Sequence, residues 1–171
     1  MRELLIFRHG KSGWPAGVAD FDRPLKKRGE DAATRIGFWL RDSKLAPELV
    51  LSSPAARAIA TARLTCDAMG LERDRIHEDK NLYLAGLEKL LAIVRAIPPS
   101  TNRAMIVGHN PGLEELLATV AETTISPYDD NGRMPTAALA VMRLPCAWED
   151  IATGAASLVT MIRPRELPPA D

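Results

Sequence analysis

The run Leu4-Leu5-Ile6-Phe7 is the strongest constraint on how this chain folds. Successive side chains on a strand point to opposite faces, so four consecutive apolar residues cannot serve a strand with one wet side. The run is also too short to read as a helix. It predicts a strand covered on both faces, the environment of a parallel sheet flanked by helices. Residues 48–52 and 103–107 read the same way, and residues 75–78 form a weaker third candidate.

Helical segments separate these runs. In residues 29–43, Ala33, Ile36 and Leu40 fall at helical spacing. Residues 54–69 are rich in alanine; Ser53-Pro54 makes a good start, with Ser as cap and Pro in the first turn, and Gly70 makes a good stop. Leu84, Leu87, Leu91 and Val94 form a third stripe that ends before Pro98-Pro99, and a fourth helix follows Pro111-Gly112 through about residue 120. Residues 123–135 read as a polar loop, and residues 137–144 and 156–162 as two final strands. Alternating strands and helices predict a three-layer α/β/α sandwich with a mostly parallel central sheet. The last two strands can pair antiparallel at an edge, and residues 1–171 suit one domain.

The 22 basic residues equal the 22 acidic ones, so no overall field favours nucleic acid or an anionic membrane, and any pull on an anion must be local. Aromatic residues at 5% leave little for base stacking. No apolar stretch approaches the length of a membrane span, and Arg2-Glu3 leads straight into the first strand without a signal-peptide pattern. Cys66 and Cys146 are far apart in apolar segments, which predicts two buried free thiols and, by default, the cytoplasm.

Three strand-to-helix junctions carry the chemistry. Arg8-His9-Gly10 follows the first strand, Ser52-Ser53-Pro54-Ala55-Ala56-Arg57 the second, and Gly108-His109-Asn110-Pro111 the fourth. Parallel neighbouring strands would place all three on one sheet edge, where open α/β folds bind ligands. Two arginines, two histidines and two helix N-termini then surround one point, and a phosphate is the natural occupant. A neutral imidazole can attack phosphorus while its other ring N–H is held by a carbonyl, and a second imidazole can donate to a phosphoryl oxygen. Zinc would need a third ligand, and the arginines would repel it, so no metal and no cofactor is expected. His77 lies outside these junctions and reads as a surface or strand-edge residue.

These motifs together resemble the histidine phosphatase superfamily. Asp20-x-x-Arg23-Pro24-Leu25, Gly108-His109-Asn110-Pro111 and Pro135-Thr136-Ala137-Ala138 are similar to the small SixA-type phosphohistidine phosphatases. The resemblance implies a phosphoglycerate-mutase-like fold, with His9 as the phosphorylated nucleophile and Arg8, Arg57 and His109 holding the phosphoryl group. Ser12 is a candidate phosphate contact, with loop capping as its alternative. Asn110 is expected to organise the turn before Pro111 rather than touch substrate. Phosphomonoesterase and mutase members carry an acid after the third strand; here Asn81-Leu82-Tyr83-Leu84-Ala85-Gly86 has no carboxylate. Asp20 is the candidate general acid, with turn capping as its alternative.

An alkoxide leaving group gains roughly 10²–10⁴ in rate from a positioned acid, whereas a phosphorylated imidazole protonated on its other nitrogen can leave neutral. The missing acid therefore points to phosphohistidine on a partner protein. The rivals are a phosphomonoesterase acting on small molecules and a non-catalytic phosphoprotein-binding module.

Overall fold

In the computed structural model, which describes residues 1–126 and 128–169, Leu4 to Phe7 lie on strand β1 (Arg2–Arg8) and are all fully buried. Leu4 and Ile6 enter one core, Leu5 and Phe7 the other. The strand is dry on both sides, as its unbroken apolar run requires.

Helix α1 (Lys27–Asp42) follows, then β2 (Leu49–Ser52), α2 (Ala56–Met69), β3 (Ile76–Glu78), α3 (Leu87–Arg95), β4 (Arg103–Gly108), α4 (Gly112–Val120), β5 (Leu139–Leu144) and β6 (Ser157–Ile162). The six strands order as β3-β2-β4-β1-β5-β6. The β3-β2, β2-β4 and β4-β1 pairs are parallel; β5 runs antiparallel to both β1 and β6. The expected antiparallel pair is thus present at one edge. Ile36 and Leu40 of α1 join Ala58, Ala62 and Cys66 of α2 against Leu5 and Phe7. Leu90 and Val94 of α3 join Leu113, Leu116 and Leu117 of α4 against Leu4 and Ile6. Helices on both faces give the three-layer α/β/α sandwich. Cys66 is buried and Cys146 half-buried, and both are free thiols.

Among the described residues, none of the four α-helices has a side-chain N-cap, and one ends on a glycine. Gly70 closes α2 in the left-handed conformation at φ 73°, a backbone state that glycine enters without a Cβ penalty. Two expectations need correction. Ser53 is not the N-cap of α2, which is Ala55 with no side-chain cap; its hydroxyl accepts from the Ala55 N–H (3.3 Å) ahead of the helix and also holds His109. Leu84 does not begin α3. Gly86, in extended conformation, precedes that helix, leaving Leu84 on the surface with φ 50°. His77 is exposed on the edge strand β3, as expected.

The chain between β1 and α1 is clasped at its base. Ser12 and Leu25 form an antiparallel bridge, the Gly13 N–H donates to Pro24 O (2.9 Å), and the Lys26 N–H donates to Lys11 O (2.8 Å). Residues 14–23 leave and return through this clasp, carrying a 3₁₀ turn at Asp20–Asp22. Before β5, the carbonyl of buried Met134 accepts from Arg8 Nη1 (3.0 Å) and Asn110 Nδ2 (2.8 Å), so the end of the 123–135 loop braces two junctions.

Candidate active site

Strand register brings the three junctions together. Arg8 pairs with Gly108 and Ser52 with Val107, so β1, β2 and β4 end at the same level. The His9 N–H donates to Gly108 O (3.2 Å) and its carbonyl accepts from the Ala137 N–H (2.9 Å), which pins the turn from both sides. The next residue must be glycine: a Cβ on Gly10 would lie 2.7 Å from Gly29 O, backbone against backbone. The Gly10 N–H donates to Thr61 Oγ1 (2.9 Å), which donates to Arg57 O (2.7 Å). Thr61 thereby ties the first junction to the first turn of α2.

His9 Nδ1 lies 2.8 Å from Gly10 O. A carbonyl can only accept, so Nδ1 carries the hydrogen and Nε2 keeps its lone pair. Arg57 Nε donates to that Nε2 at 3.3 Å. Burial, helped by the Arg57, Arg8 and Arg23 charges and opposed by the Gly10 carbonyl, draws the His9 pKa down to about 4. His109 Nε2 meets Ser53 Oγ at 2.8 Å, and its Nδ1 faces Arg57 Nη2 at 3.4 Å. A guanidinium only donates, so here Nδ1 accepts and Nε2 carries the hydrogen toward Ser53. Burial first, then His9 and Arg57, draws the His109 pKa down to about 3. Both imidazoles are neutral near pH 7, with ring centroids 5.2 Å apart.

Arg57 is only 3% exposed. Its Nη1 donates to Asp20 O (2.7 Å) and its Nη2 to Asp20 Oδ2 (3.1 Å). Arg23 donates to Asp20 Oδ1 (3.2 Å) and to Ser12 Oγ (3.1 Å). Tyr83 Oη donates to Asp20 Oδ2 at 2.5 Å. The Tyr83 hydroxyl, then Arg23 and Arg57, hold the Asp20 carboxyl down at about 2, so near neutrality it has no proton to give. Ser12 borders the cavity, and its bond from Arg23 leaves the hydroxyl hydrogen uncommitted. Asn110 borders it too, but its amide donates to Glu114 Oε1 (2.9 Å) and Met134 O, which stiffens the turn as expected.

The resulting cavity of about 290 Å³ gathers Arg8, Lys11, Arg23 and Arg57 against the single carboxylate of Asp20. Desolvation lowers the Arg8 pKa, and its buried Nε has no partner among the described residues. Such a site favours an anion with more than one charge. Among the described residues no three His, Cys, Asp or Glu side chains gather as metal ligands would. The site brings His9, Arg8, Arg57, His109, Ser12 and Asp20 together, and adds Tyr83, Ser53 and Arg23, none of which the sequence marked as a site residue: Ser53 read as a helix cap and Arg23 only as part of a motif. Tyr83 lies in the segment Asn81–Gly86, which holds no carboxylate, and its phenol is the polar side chain there that reaches the site.

A sheet-edge site of this make-up defines a class, and comparison with known proteins agrees. The family model for the histidine phosphatase superfamily (branch 1) matches residues 4–83, and the chain belongs to that superfamily, with its phosphatase chemistry and phosphoglycerate-mutase-like fold. A structure assigned to phosphohistidine phosphatase SixA from Nakamurella multipartitia is 32% identical, with a TM-score of 0.79 over 95% of this chain and 96% of that one. A second SixA assignment, from Agrobacterium tumefaciens, is 28% identical with a TM-score of 0.76, covering 95% and 98%. An uncharacterised protein of Mycobacterium tuberculosis is 33% identical over 162 residues, 92% of this chain and 99% of its own length.

Proposed function

We propose that the protein hydrolyses phosphohistidine on a partner protein through a phospho-His9 intermediate. The observation that carries this reading is the state of Asp20. It is the one carboxylate among the residues bordering the cavity, and it is ionised and bound to Arg57, Arg23 and Tyr83. A site whose one bordering carboxyl is ionised suits a leaving group that departs without a carboxylic acid to protonate it. The likeness to SixA-assigned structures supports the same substrate class.

In the first step, the lone pair on His9 Nε2 attacks phosphorus in line. The new N–P bond forms as the substrate's N–P bond breaks, and the partner imidazole leaves neutral with its other nitrogen already protonated. Arg8 and Arg57 spread the charge on the equatorial oxygens. The incoming dianion draws a proton onto His109 Nδ1, which then donates to a phosphoryl oxygen while Nε2–H stays on Ser53. Ser12 adds its free hydroxyl hydrogen. In the second step water attacks phosphorus, the His9 N–P bond breaks, and phosphate leaves. The guanidinium groups supply the positive charge that a metal ion supplies in other phosphoryl-transfer sites, so the scheme needs no metal.

The rim supports a macromolecular substrate. Trp14 is 62% exposed and Leu84 57% exposed beside the cavity. The Trp14 ring lies 4.3 Å under the Arg23 guanidinium, and Phe21 packs edge-on against Tyr83 at 5.1 Å. An exposed apolar collar around a charged pocket fits a folded surface better than an enclosed metabolite.

Brief exposure to a ³²P-phosphohistidine protein, followed by rapid quench, tests the scheme. An acid-labile label on wild type and none on His9→Gln is expected. Full turnover by His9→Gln, or faster release from phosphate esters than from phosphohistidine, would overturn it.

A further inference from the structure

A second cavity, of about 360 Å³, opens beside the first and shares Lys11 and Thr136 with it. It lies between α1 and the segment after β6. Lys11, Arg28, Arg35, Arg163 and Arg165 line it, and among the described residues no carboxylate does. In a chain with equal numbers of acids and bases, five cations around one cavity are a local excess.

Two of the five are fixed in place by mostly neutral groups. Arg35 donates to the carbonyls of Pro164, Leu167 and Pro168. Arg163 donates to the carbonyls of Asp130 and Arg133 and lies 3.7 Å from Glu166. Lys11, Arg28 and Arg165 make no side-chain hydrogen bond or ion pair among the described residues. Four of the five charges therefore have no acidic partner among the described residues, Arg163 alone being paired with Glu166, and carbonyl bonds hold part of the group rigid. Lys11 is two residues from His9, so whatever binds here reaches the phosphoryl site along the same surface.

We infer that this cleft receives an acidic segment of the partner phosphoprotein, so that the protein reads carboxylates flanking the phosphorylated histidine. The partner's identity as a phosphohistidine protein rests on the function proposed above; the cleft's preference for acidic peptide does not need catalysis to be seen. Complementary charge at such a rim raises the encounter rate and is screened by salt over roughly 8–10 Å at ordinary ionic strength.

Two fluorescent peptides of equal length test this, one with Asp and Glu on both sides of a central histidine and one with Asn and Gln there. Equilibrium binding of the unphosphorylated peptides is measured first. At about 50 mM salt the acidic peptide is expected to bind about tenfold more tightly, and about 500 mM salt should erase the difference. Arg28→Glu/Arg165→Glu should erase it at low salt, while Arg41→Glu/Arg73→Glu, with the same change in net charge, should not. The phosphorylated peptides should show the same ranking in kcat/KM, and phosphoimidazole turnover should be unchanged by Arg28→Glu/Arg165→Glu. Equal binding of the two peptides, or equal loss in both double variants, overturns the cleft assignment. Failure to turn over any phosphohistidine, with the acidic preference intact, instead overturns the proposed reaction.

Discussion

Two neutral imidazoles enclosed by arginines make the fold sensitive to acid in a defined window. Folding takes His9 from 6.5 to about 4 and His109 from 6.5 to about 3, through burial first and neighbouring cations second. Unfolding restores the ordinary value. Below about pH 6.5 the unfolded chain therefore binds protons that the folded protein does not, and stability falls as pH falls. The loss continues until each folded pKa is passed. One pKa unit corresponds to about 1.4 kcal/mol, so between about pH 6.5 and about pH 4.5 the two groups together remove on the order of 5 kcal/mol. That rivals the whole stability of an ordinary domain, about 5–15 kcal/mol. Asp20 acts in a lower window: its depressed pKa adds stability above about 4 that is lost only as pH falls through about 2. Urea denaturation at a series of pH values reads the slope directly. His9→Gln and His109→Gln should each flatten the curve between about pH 6.5 and about pH 4.5, and inorganic phosphate should flatten it too by drawing protons onto the folded site. Equal unfolding free energies at the two ends of that window would refute the reasoning, as would an unaltered slope in the double variant.

Asp20→Asn should lower kcat/KM by about tenfold, on a phosphohistidine peptide and on an aryl phosphate alike, because it loosens Arg57 rather than removing an acid; a loss that grows steeply toward alkyl phosphates would make Asp20 the proton donor. Gly10→Ala should cost about 1–3 kcal/mol in thermal or urea unfolding, since its Cβ meets Gly29 O at 2.7 Å with no side chain able to move aside, and wild-type stability would show that the two segments part readily.

The parts of this molecule legible in the sequence are those where one residue type answers to one environment. Leu4 to Phe7 announced a strand dry on both faces, because no other placement hides four adjacent apolar side chains. Parallel neighbours then forced the three junctions onto one edge, so His9, Arg57 and His109 met there without any knowledge of side-chain geometry. What stayed hidden depends on partners distant in the chain. Ser53 before Pro54 looks the same whether it caps a helix or holds His109. Tyr83 and Asp20 are 63 positions apart, and only the fold shows that the phenol pins the carboxylate. Leu84 sits at perfect helical spacing from Leu87 and Leu91, and an extended Gly86 was enough to exclude it. The basic cleft was equally invisible, since its five cations come from three separate stretches of an electroneutral chain.

The clasp formed by Lys11, Ser12 and Gly13 with Pro24, Leu25 and Lys26 makes the intervening loop a cartridge. Its base is closed by backbone bonds, which any sequence can make, so residues 14–23 can be exchanged as a block while the nucleophile's turn keeps its anchors on Gly108, Ala137 and Thr61. Trp14, Asp20, Phe21 and Arg23 travel together in that block. Two members of the exposed collar, Trp14 and Phe21, and the carboxylate that tempers Arg57 therefore lie on one loop. Exchanging this loop would change the surface beside the cavity and the hold on Arg57 in one stroke.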